Sequence, residues 1–252
     1  MKFWNRLLAT KGSAGFYYRP LGGEALQFNE DLPLVAASVI KIPIMVAAFR
    51  LRNEGRLDFS EEIEIRPEHK KPSCGALTYM HDGLKVTVLD LVTLMIIVSD
   101  NTATNLMIDL LSVDRVNQTM AELGIPGICL RRKLFEPELS RQGIQNTITA
   151  RGVGILLTKM AQGQLLGGEA DKKMMEILGD QRLNGKLPFF LHSMDVELAH
   201  KTGEDDGTTH DVGVIFAKQP FVVCMLSNDV DVPAFERIMQ DAALELYEIN
   251  NR

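Results

Sequence analysis

The chain has 252 residues, 46% of them hydrophobic and 24% charged, with a formal net charge of −6. That length and apolar content are enough to bury a large core as one or two closely packed lobes. The acidic balance and the lack of any Lys/Arg-rich run exclude broad attraction to phosphate backbones or anionic lipid, so neither nucleic acid nor membrane is an expected partner.

Met1 to Ala14 mixes Lys2, Arg6 and Lys11 with Phe3, Trp4, Leu7 and Leu8, the pattern of an amphipathic surface helix. It lacks the continuous apolar segment of a signal peptide, so the expected localisation is cytoplasmic, or periplasmic or secreted if the sequence is trimmed. Ala14 to Arg19 and Glu24 to Phe28 are β-rich and joined by Pro20-Leu21-Gly22-Gly23, which reads as a hairpin. From Ser38 to about Gln181 apolar residues recur at three-and-four spacing, punctuated at Gly55, Thr87, Gly124, Thr149 and Gly163. The most apolar run, Leu89 to Val98, is interrupted by Asp90 and Thr93 and does not reach the length of a membrane span.

Strand alternation returns in Val196 to His200, Val212 to Ala217 and Phe221 to Leu226, with Lys218-Gln219-Pro220 as a second tight connection. Asp231 and Pro233 then open a last helix whose Phe235, Ile238, Met239, Ala242, Leu246 and Ile249 form one apolar stripe. This order implies an α+β fold: an antiparallel β-sheet from both termini, flanked by terminal helices, with an all-α lobe inserted. The sheet lobe is expected over 1–36 and 188–252 and the helical lobe over 37–187, with a small-molecule site between them.

Ser38-Val39-Ile40-Lys41 sets a hydroxyl and an amine three residues apart, one face of a helix, so the amine can reach the hydroxyl oxygen. A helix starting here would aim its free N–H groups at charge developing beside Ser38, and Pro43 suits a first turn. Alone, the spacing means little, because roughly one chance match is expected in a chain of this length. Ser99-Asp100-Asn101, after the apolar helix Val88 to Val98, and Lys201-Thr202-Gly203, on a strand of the sheet, are each expected by chance about once in some twenty such chains. Their joint occurrence in this order makes coincidence improbable by a factor on the order of hundreds.

With these three motifs the sequence resembles a class A β-lactamase, a family allied to the penicillin-binding proteins, over nearly its whole length. Phe135-Glu136-Pro137-Glu138-Leu139 is similar to the family's loop that carries the deacylating glutamate. The resemblance implies Ser38 as nucleophile, activated through Lys41 or through Glu136 and a water, and Ser99 as proton relay to the leaving nitrogen. It implies Asn101 binding the substrate's amide side chain and holding Lys41, and Lys201 and Thr202 receiving its carboxylate. The backbone N–H groups of Ser38 and Glu204 would form the oxyanion hole. Glu136 would activate water for release.

Several positions depart from the family pattern. Ser140 stands where an Asn usually helps hold the hydrolytic water. Leu134 and Asn146 occupy the places of a salt bridge that pins the loop, so Glu136 is expected to be less firmly held. No Arg follows on the next strand, and His210 is the nearest substitute. The acidic run Glu204-Asp205-Asp206-Gly207 reads as a solvated turn pointing away from the pocket.

Cys74, in Pro72-Ser73-Cys74-Gly75, falls where the resemblance puts the pocket rim and reads as a packed small thiol. Cys74, Cys129 and Cys224 are expected to stay outside any disulfide. His69, His81, His192 and His200 show no metal-ligand spacing. No metal or other cofactor is expected, and the chain reads as a monomeric β-lactam-hydrolysing serine enzyme. One alternative is a slow serine acyl-hydrolase or D,D-peptidase-like enzyme on another amide or ester; a second is a non-catalytic ligand sensor.

Overall fold

Alternating apolar residues at the C-terminal end serve two different cores. In Phe221-Val222-Val223-Cys224-Met225-Leu226 the odd-numbered side chains join a cluster with Phe3, Phe16, Phe235 and Leu246, and the even-numbered ones join the large core of the helical region. A strand's period of two makes this division unavoidable once both faces of a sheet are covered. The computed structural model describes residues 1–72 and 74–252; Ser73, in the segment read around Cys74, lies outside them.

In chain order the elements are α1 (Lys2–Leu8), β1 (Ser13–Pro20), β2 (Leu26–Phe28), β3 (Leu34–Val35), a 3₁₀ turn (Ala37–Ile40), α2 (Lys41–Asn53), β4 (Glu62–Glu64) and β5 (Lys85–Thr87). There follow α3 (Val88–Ile97), α4 (Asn101–Leu111), α5 (Val113–Glu122), α6 (Pro137–Arg141), β6 (Thr147–Ile148), α7 (Ala150–Ala161) and α8 (Gly168–Gly179). The chain closes with β7 (Leu198–Asp205), β8 (Thr208–Ile215), β9 (Phe221–Asn228) and α9 (Val232–Asn250). The fold is α+β, with one antiparallel five-stranded sheet in the order β2-β1-β9-β8-β7. β1 therefore pairs with the last strand, and β7 is left as an edge. Among the described residues no helix is long and apolar enough to cross a membrane.

Local chemistry accounts for the helix boundaries. Thr87 and Asp90 form a reciprocal capping box on α3, Thr149 accepts from the Gly152 N–H at the start of α7, and Asp231 caps α9 ahead of Pro233. Gly124 follows α5 with φ of 66°, a left-handed conformation that ends a helix at little cost to glycine. The stretch read as helical also holds one short ladder, β4 with β5, and one strand of a second, β6, whose partner β3 lies just before the stretch. Each has only two or three residues per strand, too few for an alternation to register. β7 and β8 run on as far as Asp205 and Thr208, because the polar Lys201-Thr202 segment is strand by pairing with Asp211 and Val212, not by hydrophobicity.

Candidate active site

Ser38 lies in the 3₁₀ turn and the α-helix proper begins at Lys41. The tighter turn strengthens the spacing argument, since residues three apart eclipse in a 3₁₀ helix. Ala37, just before Ser38, has φ of 41°, unusual for a residue with a side chain. Ser38 lines a cleft of about 810 Å³ whose walls come from the helical region and from β7. Lys41 is fully buried, and its Nζ lies within hydrogen-bond distance of Ser99 O (2.8 Å), Ser99 Oγ (2.9 Å) and Asn101 Oδ1 (2.9 Å). Burial, and then the nearby Lys201 cation, hold its pKa well below that of an ordinary lysine, which favours a free amine.

Ser99 occupies the corner between α3 and α4 with φ of 55°. Asp100 is the structural member of its motif. One carboxylate oxygen caps α4 through Ala103 N (2.9 Å), and the other accepts from Ala76 N (2.7 Å) and Leu77 N (2.9 Å). Gly75 approaches so closely that a Cβ there would lie 2.4 Å from Asp100 Oδ2, with φ of 117° besides. These bonds draw residues 75–77 over the corner as a rim of the cleft. Asn101 adds Nδ2 to Pro72 O at 3.1 Å. Cys74 is not the packed thiol expected: it is exposed and lines the cleft, because the rim is anchored by backbone N–H groups instead of by side-chain burial.

On the opposite wall Lys201 is also fully buried, its Nζ donating to Ser99 Oγ (3.1 Å) and Thr202 O (2.8 Å). Burial lowers its pKa to about 7. The Ser99 hydroxyl is thus held between two amines. Thr202 lines the cleft, and so do Glu204, Asp205 and Asp206. This corrects the expectation that the acidic run points away. The three side chains are exposed, yet the β7–β8 turn stands at the cleft mouth. Glu204 is paired with the buried Lys186 at 3.1 Å.

His210 is a second correction. It is fully buried, with Nε2 2.8 Å from Val35 O and Nδ1 accepting from Ser227 N at 3.1 Å. Both ring nitrogens are engaged inside the sheet, and burial lowers its pKa to about 4, so it is a neutral structural group and not a stand-in for an arginine.

Glu136 lines the cleft just before α6, half-buried, with Oε2 accepting from Lys133 N at 2.9 Å. Phe135 beside it has φ of 59°. Ser140 Oγ accepts from Gln145 Nε2 at 2.7 Å. The loop is held more firmly than the missing salt bridge suggests. Asn105 takes the Leu134 N–H and donates to the Leu134 carbonyl, both at 2.9 Å. Asn146 accepts from Arg131 N (2.7 Å) and Arg132 N (3.0 Å) and donates to Arg132 O (3.0 Å). Its own carbonyl accepts from Ala36 N, two residues before Ser38. Asn105 was not singled out in the sequence, although it lies four residues after Asn101 on α4 and hence on the same face.

This fold and this clustering of Ser38, Lys41, Ser99 and Lys201 around one cleft define a serine hydrolase. The chain belongs to the Beta-lactamase enzyme family, whose model matches residues 2–249. A β-lactamase structure from Sphaerobacter thermophilus is similar at 30% identity and a TM-score of 0.91, over 99% of this chain and 95% of that one. The structure of PBP-A is similar at 28% identity and a TM-score of 0.88, over 98% of this chain and 94% of that one. β-Lactamase VEB-1 of Pseudomonas aeruginosa is 26% identical over 76% of this chain and 68% of its own length. The β-lactamase regulatory protein BlaB of Streptomyces cacaoi is 29% identical over 45% of this chain, a match that spans only 37% of that protein.

Proposed function

We propose that this protein opens β-lactam rings through a covalent acyl-enzyme on Ser38 and releases the product with the help of Glu136, as a class A enzyme does. Ser38 Oγ attacks the lactam carbonyl and its proton passes to the free amine of Lys41. The oxyanion is received by the backbone N–H groups of Ser38 and Glu204. As the C–N bond breaks, the lactam nitrogen takes the proton of Ser99, which is resupplied from the Lys41 ammonium. Lys201 and Thr202 take the substrate carboxylate, and Asn101 its amide side chain. Glu136 then removes a proton from water, hydroxide adds to the acyl carbonyl, and Ser38 departs with its proton restored. The substrate is a small β-lactam or related amide acted on by a single chain without a cofactor.

One observation carries the reading: the Ser99 hydroxyl lies 2.9 Å from Lys41 Nζ and 3.1 Å from Lys201 Nζ, both amines fully buried and both with lowered pKa. The test is hydrolysis of a chromogenic cephalosporin. Wild type turns it over, Ser38→Ala shows neither turnover nor a mass adduct, and Glu136→Gln accumulates the adduct. A wild type that neither turns over the substrate nor forms an adduct defeats the proposal. A second reading, acylation with slow release, is favoured by Ser140, whose hydroxyl already serves Gln145, and by the similarity to PBP-A, a mutant of which is known as an acyl-enzyme complex with penicillin G. It predicts a long-lived wild-type adduct whose lifetime Glu136→Gln does not change.

A further inference from the structure

The segment between α8 and β7 crosses from one wall of the cleft to the other, and a single buried side chain spans the crossing. Gln181 is 3% exposed. Its Oε1 accepts from Arg182 N (3.0 Å) and Leu183 N (3.1 Å), which fixes which end of the amide is oxygen. Nε2 is thereby aimed at two carbonyls, Ile96 O at 3.0 Å and, as the weaker contact, His200 O at 3.4 Å. Ile96 lies in the last turn of α3, where carbonyls have no partner within the helix, and the Arg182 N–H takes the neighbouring Ile97 O at 2.9 Å. Ser99 follows Ile97 by two residues, and Lys201 follows His200 directly.

We propose that Gln181 is a positioning residue: its amide ties the end of α3, which leads into the Ser99 corner, to the Lys201-bearing strand and so sets the Ser99–Lys201 separation on which proton relay depends. The same segment places Leu183 in the lining of the cleft. The tie is internal to the protein, and its effect on rate rests on the acylation reading above. If it is loosened, Lys201 moves away from Ser99 and Lys41, so Lys41 loses part of the repulsion that keeps it deprotonated.

The test compares Gln181→Met with Gln181→Glu, which retains the oxygen that caps Arg182 and Leu183 but loses the donor. Gln240→Ala serves as the control, removing a bond from α9 to Gly185 O on the same segment without touching either wall. Acylation of Ser38 by a fluorescent penicillin is followed across pH. Both Gln181 variants are expected to acylate about 10- to 100-fold more slowly, with the acidic limb of the profile moved to higher pH, while Gln240→Ala keeps the wild-type limb. Slower acylation with an unmoved limb, or no change in rate, would overturn the inference. Should Gln181→Met not fold, Gln181→Glu alone decides. A crystal structure of the folded variant reads the tie without any activity: the 3.1 Å contact between Lys201 Nζ and Ser99 Oγ is expected to lengthen. Failure of the wild type to acylate defeats the proposed function, whereas an unchanged contact in the variant defeats the role of Gln181.

Discussion

Around Ser38 the polar side chains are buried and bonded to one another, Lys41 to Ser99 and Asn101, and Lys201 to Ser99 again. Around Glu136 the bonds run to backbone instead: the half-buried Glu136 takes Lys133 N, and the buried Asn105 and Asn146 take Leu134 N and the N–H groups of Arg131 and Arg132. In the first region a charge is tuned by removing water, which lowers both amine pKa values. In the second the carboxylate keeps contact with solvent and only its position is governed. In the proposed reaction acylation needs a free amine, a form that burial favours at Lys41, and release needs a water beside a base, which burial would exclude. The different construction of the two regions matches the two halves of the proposed reaction.

The largest effect should come from breaking the buried half. In the proposed reaction Lys201 works protonated, to receive a carboxylate, and burial lowers its pKa to about 7. Acylation kcat/KM should therefore fall as pH rises through about 7, to about 100-fold below its plateau two units higher. Lys41 works deprotonated and is lost in the opposite direction, as pH falls. Lys201→Arg keeps its charge throughout and should abolish the alkaline limb, whatever its absolute rate. Stopped-flow acylation across pH measures this, and an alkaline limb that survives in the arginine variant refutes the assignment.

Breaking the other half should be smaller and confined to release. Asn146 is 4% exposed and makes three side-chain hydrogen bonds to residues 131 and 132. Asn146→Ala should cost about 2–4 kcal/mol of stability. It should also lengthen the acyl-enzyme lifetime about 10- to 100-fold, since Glu136 rests on the adjoining Lys133 N–H, while leaving acylation nearly unchanged. Thermal unfolding and intact-mass decay of the adduct read the two effects separately. Equal losses in acylation and release would mean that the loop and the Ser38 wall act as one unit.

What the sequence made legible follows the same divide. Ser38, Lys41, Ser99 and Lys201 could be found because their chemistry needs particular residue types at short fixed spacings, and the sheet because its strands alternate against two cores. The loop pins could not be found so directly: Asn105 meets Leu134, and Gln181 meets Ile96 and His200, across long stretches of chain, and an amide carries no sign of which backbone it will meet. His210 and Cys74 were misjudged for a related reason. Burial of a histidine depends on the pairing of β8 and β9, and exposure of a cysteine on where Asp100 anchors the rim, neither of which is a local property.

The smallest effect, and the one that sharpens the comparison most, concerns Ser140. Its hydroxyl accepts from Gln145 Nε2, and Gln145 Oε1 is itself engaged by Arg132 Nη2 at 2.6 Å, so the glutamine is fixed at both ends. Ser140 is left with one proton to offer a water in the cleft, at the short reach of a hydroxyl. An asparagine reaches one atom further and offers two donors, together with an oxygen that can still accept from Gln145. Ser140→Asn should therefore speed release by about one hydrogen bond's worth, roughly 5- to 10-fold, with acylation untouched. A burst of chromogenic product followed by a faster steady state would show it. If the steady state is unchanged while Glu136→Gln still traps the adduct, the hydrolytic water is held by Glu136 without its neighbour, and the release half of the cleft is simpler than its acylating half.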